Sequence, residues 1–139
     1  MSDENQLHEG GCLCGKIRYK FAGEPLATAV CHCRHCQRQG GSAFSIVSLV
    51  LDDAYQQSGE TKVYVDTGDS GKHVHRHFCG DCGSPIVSLV EALPGMTIIK
   101  AGTLDDPSGL TPTQEVYCDS AWPAVPHFAG TQRIAGAIA

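Results

Sequence analysis

Phe78-Cys79-Gly80-Asp81-Cys82-Gly83-Ser84 decides how the chain is put together, because it matches in kind a distant stretch, Gly11-Cys12-Leu13-Cys14-Gly15. In both, closely spaced cysteines are followed at once by glycine. Cysteines two or three residues apart chelate one ion through adjacent thiolates, whereas a disulfide between such near neighbours is strained. The glycine permits the left-handed turn by which backbone N–H groups reach the sulfurs. Cys12, Cys14, Cys79 and Cys82 are therefore read as one closed, four-thiolate structural zinc site joining remote parts of the chain. Two separate sites, or free thiols, are the alternatives. Loss of such an ion should loosen the whole domain.

A third stretch, Cys31-His32-Cys33-Arg34-His35-Cys36-Gln37-Arg38, has no glycine after its last cysteine. It offers three thiolates, one short of a closed tetrahedron, and an open position is what separates catalytic from structural zinc. If His32, His35 or Cys118 filled that position, the ion would be a second structural one. Residues 33–39 contain no glycine, proline or β-branched residue and predict a short helix. Cys33 and Cys36 would share one face near its positive end, which favours thiolate. Residues 25–51 hold no acid, while Arg34 and Arg38 flank the cysteines. The result is a cationic patch suited to a carboxylate-bearing ligand, with two ordinary surface arginines as the plainer reading.

The chain of 139 residues is 42% hydrophobic and 18% charged, which suits one compact domain, residues 1–139 with a core of about 8–128. Its formal charge of −5 is the wrong sign for a general nucleic-acid binder. No apolar run approaches the roughly 20 residues of a membrane-spanning helix. Residues 1–9 are polar and acidic, unlike a secretory or organelle leader. A soluble, cytoplasmic protein is expected, with no nucleic-acid or membrane partner. In a reducing compartment, eight cysteines point to metal rather than to disulfides.

Alternation in Lys16-Ile17-Arg18-Tyr19-Lys20-Phe21 predicts a half-exposed strand with Ile17, Tyr19 and Phe21 facing a core. Further strands are expected at 28–31, 44–51, 62–66, 73–78, 86–90, 96–101 and 115–118, separated by glycine-rich turns, so the fold class is mainly β. His73, His75 and His77 would share a strand face, either as metal ligands or as a solvated surface. Cys118 reads as a small packing residue. The sequence contains no phosphate-binding loop and no dinucleotide fingerprint, so any chemistry belongs to the metal.

Three ordered motifs carry a resemblance to a known family. They are Gly11-Cys12-Leu13-Cys14-Gly15 leading into Ile17-Arg18-Tyr19, then Cys31 to Arg38 with Gly41-Ser42, then Phe78-Cys79-Gly80-Asp81-Cys82-Gly83-Ser84-Pro85. Together they resemble the glutathione-dependent formaldehyde-activating enzyme family, the GFA or CENP-V/GFA domain. The resemblance implies an Mss4-like complex of several small antiparallel β-sheets stapled by two zinc ions per chain. Cys12, Cys14, Cys79 and Cys82 would hold the structural zinc, and Cys31, Cys33 and Cys36 the catalytic zinc. It also implies a carbon–sulfur lyase acting on S-(hydroxymethyl)glutathione or a similar thiol–aldehyde adduct, with glutathione or another small thiol as partner. Arg34 and Arg38 as carboxylate contacts come from local charge alone. A non-catalytic glutathione-binding or thiol-carrier module and a zinc scaffold for protein partners are the other functional readings. The segment 112–118 and Ala121-Trp122-Pro123 match the family only loosely, which bears on substrate more than on fold.

Overall fold

The structure, a computed structural model, describes residues 6–137; residues 1–5 and 138–139, the outer ends of the expected domain and part of the polar start, lie outside the described residues. Strand β2 (Arg18–Ala22) buries Tyr19 and Phe21 and exposes Arg18 and Lys20, as the alternation of charge requires, and Ile17 is buried just before it. It lies between β1 (Leu7–Gly11) and β5 (Tyr55–Ser58) in a three-stranded antiparallel sheet.

The other strands form one eight-stranded sheet. In chain order they are β3 (Ala27–Cys31), β4 (Ser45–Leu51), β6 (Lys62–Thr67), β7 (His73–Phe78), β8 (Pro85–Val90), β9 (Met96–Lys100), β10 (Gln114–Val116) and β11 (Gln132–Arg133). In space the order is β11-β10-β3-β4-β9-β8-β7-β6. The fold is mainly β with more than one sheet, in keeping with an Mss4-like arrangement. Most pairs are antiparallel, but β10 runs parallel to both β3 and β11, a detail that residue patterns do not carry.

The two sheets enclose the main core. Ile17, Tyr19 and Phe21 meet Val50, Ile86, Val87 and Ile99, with Ala101 and Leu104 closing one side. Each fully buried large apolar side chain is worth about 1.5–3 kcal/mol. The opposite face of the large sheet is defined by register. Val47 pairs with Lys100, Leu49 and Ser88 with Ile98, Val90 with Val74, and Arg76 with Ser88, so these side chains point the same way. This second face looks into a cavity.

The α-helix of the described residues, α1 (Arg34–Gly40), follows β3 directly. Cys33 caps it: its sulfur accepts the Cys36 N–H at 3.2 Å. Gly41, at φ 68°, ends it in the left-handed conformation. Among the described residues no helix is long and apolar enough to cross a membrane.

Candidate metal centres and the adjoining cavity

The sulfurs of Cys12, Cys14, Cys79 and Cys82 lie within 4.8 Å of one another. Cys12 Sγ is 3.6 Å from Cys14 Sγ, which is 3.7 Å from Cys79 Sγ. A tetrahedral ion with metal–sulfur bonds of about 2.3 Å requires sulfur–sulfur edges of about 3.8 Å, so the spacing fits such an ion. Gly15 and Gly83 adopt φ of 84° and 81°, the left-handed turns expected after each pair. The turns bring donors to sulfur, as the Ile17 N–H reaches Cys12 Sγ at 3.2 Å. Hydrogen bonds from the Ser84 hydroxyl and backbone bring the Cys82 thiol down to about 5. Because Cys12 and Cys14 follow β1 while Cys79 and Cys82 form the β7–β8 connection, the cluster ties the small sheet to the large one.

Cys31, Cys33 and Cys36 form a second cluster within the same distance limit, with Cys36 Sγ 3.5 Å from Cys31 Sγ. No fourth Cys, His, Asp or Glu of the described residues joins it. Each candidate for that place is turned elsewhere. His32 is buried, and its Nε2 meets Glu115 Oε1 at 2.9 Å. His35 Nδ1 donates to Asp66 Oδ2 at 2.7 Å. Cys118 Sγ donates to the Glu115 carbonyl at 3.3 Å.

His32, Glu115 and Cys118 thus make a third group, buried at His32 and Glu115 and half-buried at Cys118. Its carboxylate is already saturated by His32, Arg133, Thr131 and the Phe128 N–H. Burial would raise the Glu115 pKa, but these donors outweigh it and hold the group at about 2. The group pins the C-terminal segment against β3, and its carboxylate has both oxygens taken up by protein donors.

The cations nearest the three-sulfur cluster are ones the sequence did not single out. Lys100 is only 6% exposed, and its ammonium lies 3.8 Å from Cys36 Sγ and 3.2 Å from Ser45 Oγ. Arg76, 7% exposed, donates to Asp66 Oδ2 at 2.8 Å. Hydrogen bonds from Cys31 and Cys33 pull the Cys36 thiol far below the ordinary range, and Lys100 and Arg76 add to the effect. The same contacts, with burial, push Cys31 up, so Cys36 is the sulfur that ionises first. The signal for both cations was parity: Lys100 and Arg76 stand where their strands otherwise carry apolar side chains.

The cluster opens on a cavity of about 640 Å³, within the range of small-molecule sites. Arg34 lines it; Arg38 is exposed on the next turn and is not part of the lining. Buried Gln37 donates to the carbonyls of His32 (2.7 Å) and Ser120 (3.1 Å), and its Oε1 accepts from Trp122 Nε1 (3.0 Å) and from Arg34. The Ala121-Trp122-Pro123 segment is thereby fastened to the helix that carries Cys36. Tyr117, at the rim, is the one non-glycine described residue with positive φ, 54°, a strained geometry typical of functional sites. Burial, aided by Asp69, pushes its phenol up to about 12.

His73, His75 and His77 do share a face of β7, away from the cavity floor formed by Val74 and Arg76. His75 Nε2 meets Glu91 at 3.2 Å and His77 Nδ1 meets the Thr61 hydroxyl at 2.8 Å. Burial, with His75 adding to it, pushes His77 down. Among the described residues these histidines belong to no metal-competent group.

A family model described as glutathione-dependent formaldehyde-activating enzyme matches residues 7–120. The crystal structure of a Rhodobacter sphaeroides protein is 20% identical and superposes with a TM-score of 0.56, covering 75% of this chain and 91% of that one. At that identity the likeness bears on the fold alone. No curated protein matches the chain.

Proposed function

The chain belongs to the glutathione-dependent formaldehyde-activating enzyme family, and on that premise we propose that it is a zinc-dependent carbon–sulfur lyase. Its reaction is the reversible joining of glutathione, or a similar small thiol, to an aldehyde, with S-(hydroxymethyl)glutathione as the simplest adduct. The observation that supports this reading is the three-sulfur cluster set in a cavity wall without a fourth protein ligand among the described residues. Cys31, Cys33 and Cys36 are assigned to the catalytic zinc. Cys12, Cys14, Cys79 and Cys82 are assigned to the structural one, giving two zinc ions per chain.

Cys31, Cys33 and Cys36 would hold the zinc, which when bound would supply Lewis acidity and favour the thiolate form of the incoming thiol. The protein side chains do the rest. Lys100 places a buried positive charge against the thiolate cluster, offsetting the net negative charge that three thiolates leave on a divalent ion. Arg34 offers a guanidinium to a substrate carboxylate, and Arg38 contributes only longer-range charge. Asp69 and Asp119, also in the lining, suit the α-ammonium of a glutathione-like thiol. Holding thiol and aldehyde together accelerates an addition that also proceeds in free solution.

The test is two-dimensional exchange NMR on glutathione and formaldehyde with catalytic amounts of zinc-loaded protein. Faster interconversion than in buffer is expected. An unchanged rate with bound glutathione would favour the thiol-carrier reading, and an absence of both turnover and binding would leave a zinc scaffold.

A further inference from the structure

The cavity gathers its cations at one end, its acids Asp69 and Asp119 at the rim, and on the floor between them carries aliphatic side chains with the Ser88 hydroxyl among them. Around the three sulfurs stand Arg34, Arg76 and Lys100. Beyond them the floor is a sheet face of Val47, Leu49, Val74, Val90 and Ile98, with Leu93 at the far margin. Ile98 and Leu49 lie directly opposite each other in register. From Lys100 to Ile98 the strand advances about 7 Å, the reach of a short alkyl chain.

A one-carbon aldehyde has no use for this surface. A formaldehyde adduct would present a hydroxymethyl group to the cluster and leave the half-buried Val90 and Ile98, with the edges of Val47, Leu49 and Val74, facing water, an arrangement that the hydrophobic effect disfavours. The thiol's own charged groups match the cationic end and the Asp69 and Asp119 rim, not the floor. What remains for the floor is the substituent on the aldehyde carbon.

We propose that the aldehyde half of the natural adduct carries an aliphatic chain, which lies on the floor formed by Val47, Leu49, Val74, Val90 and Ile98. This rests on the thiol–aldehyde reading above and names its substrate class: the hemithioacetal of a small acidic thiol with an apolar aldehyde. In the forward direction the thiolate lone pair forms the C–S bond and the carbonyl π pair moves to oxygen, which takes a proton from water. The reverse step returns the same proton and electron pair, and no oxidant or reductant enters.

The experiment uses stable thioether mimics, S-methyl-, S-butyl- and S-hexylglutathione, titrated calorimetrically into zinc-loaded protein beside glutathione itself. Each buried methylene is worth about fourfold in affinity, so S-butylglutathione should bind on the order of 50-fold more tightly than S-methylglutathione. Ile98→Asn should flatten that slope while retaining the S-methyl compound, and Val90→Thr serves if Ile98→Asn fails to fold. Equal affinity across the series with glutathione still bound overturns this proposal and leaves the thiol reading standing. Failure of every compound, glutathione included, removes both. A dimer in sedimentation velocity combined with a flat series would assign the face to a second copy of the chain and overturn the proposal as well.

Discussion

The ammonium of Lys100 lies 3.8 Å from the sulfur of Cys36, with Ser45 Oγ as its other hydrogen-bonding partner and no ion pair to a carboxylate among the described residues. A buried lysine without an acid requires another counter-charge, and the thiolate supplies it. Replacing Lys100 with Met should therefore leave the buried negative cluster with only Arg76 and Arg34 to offset it. A hydrogen bond to a charged group is worth about 1.5–3 kcal/mol, which corresponds to about a ten- to hundredfold loss of zinc affinity at the three-cysteine site. Lys100→Arg should retain most of it. Competition with a chromophoric chelator measures both sites, and equal affinity in wild type and Lys100→Met would refute the charge-balance role.

The two cysteine clusters should respond differently to loss of one ligand. Cys36→Ser is expected to bring zinc from two ions per chain to one while circular dichroism and a cooperative melt persist. Cys82→Ser is expected to abolish the cooperative melt, because ion binding at a site that joins two sheets is part of the folding free energy. Elemental analysis paired with thermal unfolding reads both. Collapse of both variants would make both ions structural.

Glutathione binding should separate the two arginines that the sequence grouped. Arg34→Ala is expected to weaken it two- to fivefold, the range for a solvent-facing ion pair, and to reduce its salt dependence. Arg38→Ala should change it by less than twofold. Titration calorimetry at low and high salt decides, and the reverse order would displace Arg34 from the site.

Glu115 should make stability depend on acid. Its folded pKa of about 2 lies below the ordinary 4.5, so folding favours the ionised form. The contribution, on the order of 3 kcal/mol, is complete above pH 4.5 and is lost as pH falls towards 2. The stability gap between wild type and Glu115→Gln in urea should be constant from pH 9 to pH 7 and narrow by pH 4. A gap that widens in acid, or a Glu115 carboxyl carbon titrating at its ordinary position, contradicts the assignment.

The cysteine pairs, their following glycines and the short helix after Cys33 were legible because ligand spacing and local propensity are properties of neighbouring residues. Strand alternation likewise placed Tyr19, Phe21 and the three histidines on their proper faces. What escaped depends on neighbours distant in sequence. β1, absent from the expected strands, ends in Gly10-Gly11, and a Cβ at Gly10 would collide with the Tyr19 hydroxyl, so the glycine there serves close packing within a strand. β5 is polar and β11 has only two residues, and neither has an apolar period to reveal it. Lys100 and Arg76 were not singled out because their burial is created by β4, β8 and α1, which are distant from them in sequence. The cavity floor is hidden for the same reason: it is assembled from four strands, β4, β7, β8 and β9, each contributing one or two aliphatic side chains.

The Cys79–Cys82 segment does two jobs at once, since it closes the metal knuckle and serves as the connection between β7 and β8. Those two strands carry Val74, Arg76, Ser88 and Val90 into the cavity. Stripping the knuckle would therefore release the hairpin that shapes the floor, leaving the other cluster's own ligands untouched. If both clusters hold zinc as proposed, the protein would act as a two-input gate on zinc supply: the ion that never meets substrate would determine whether the other has a pocket to work in.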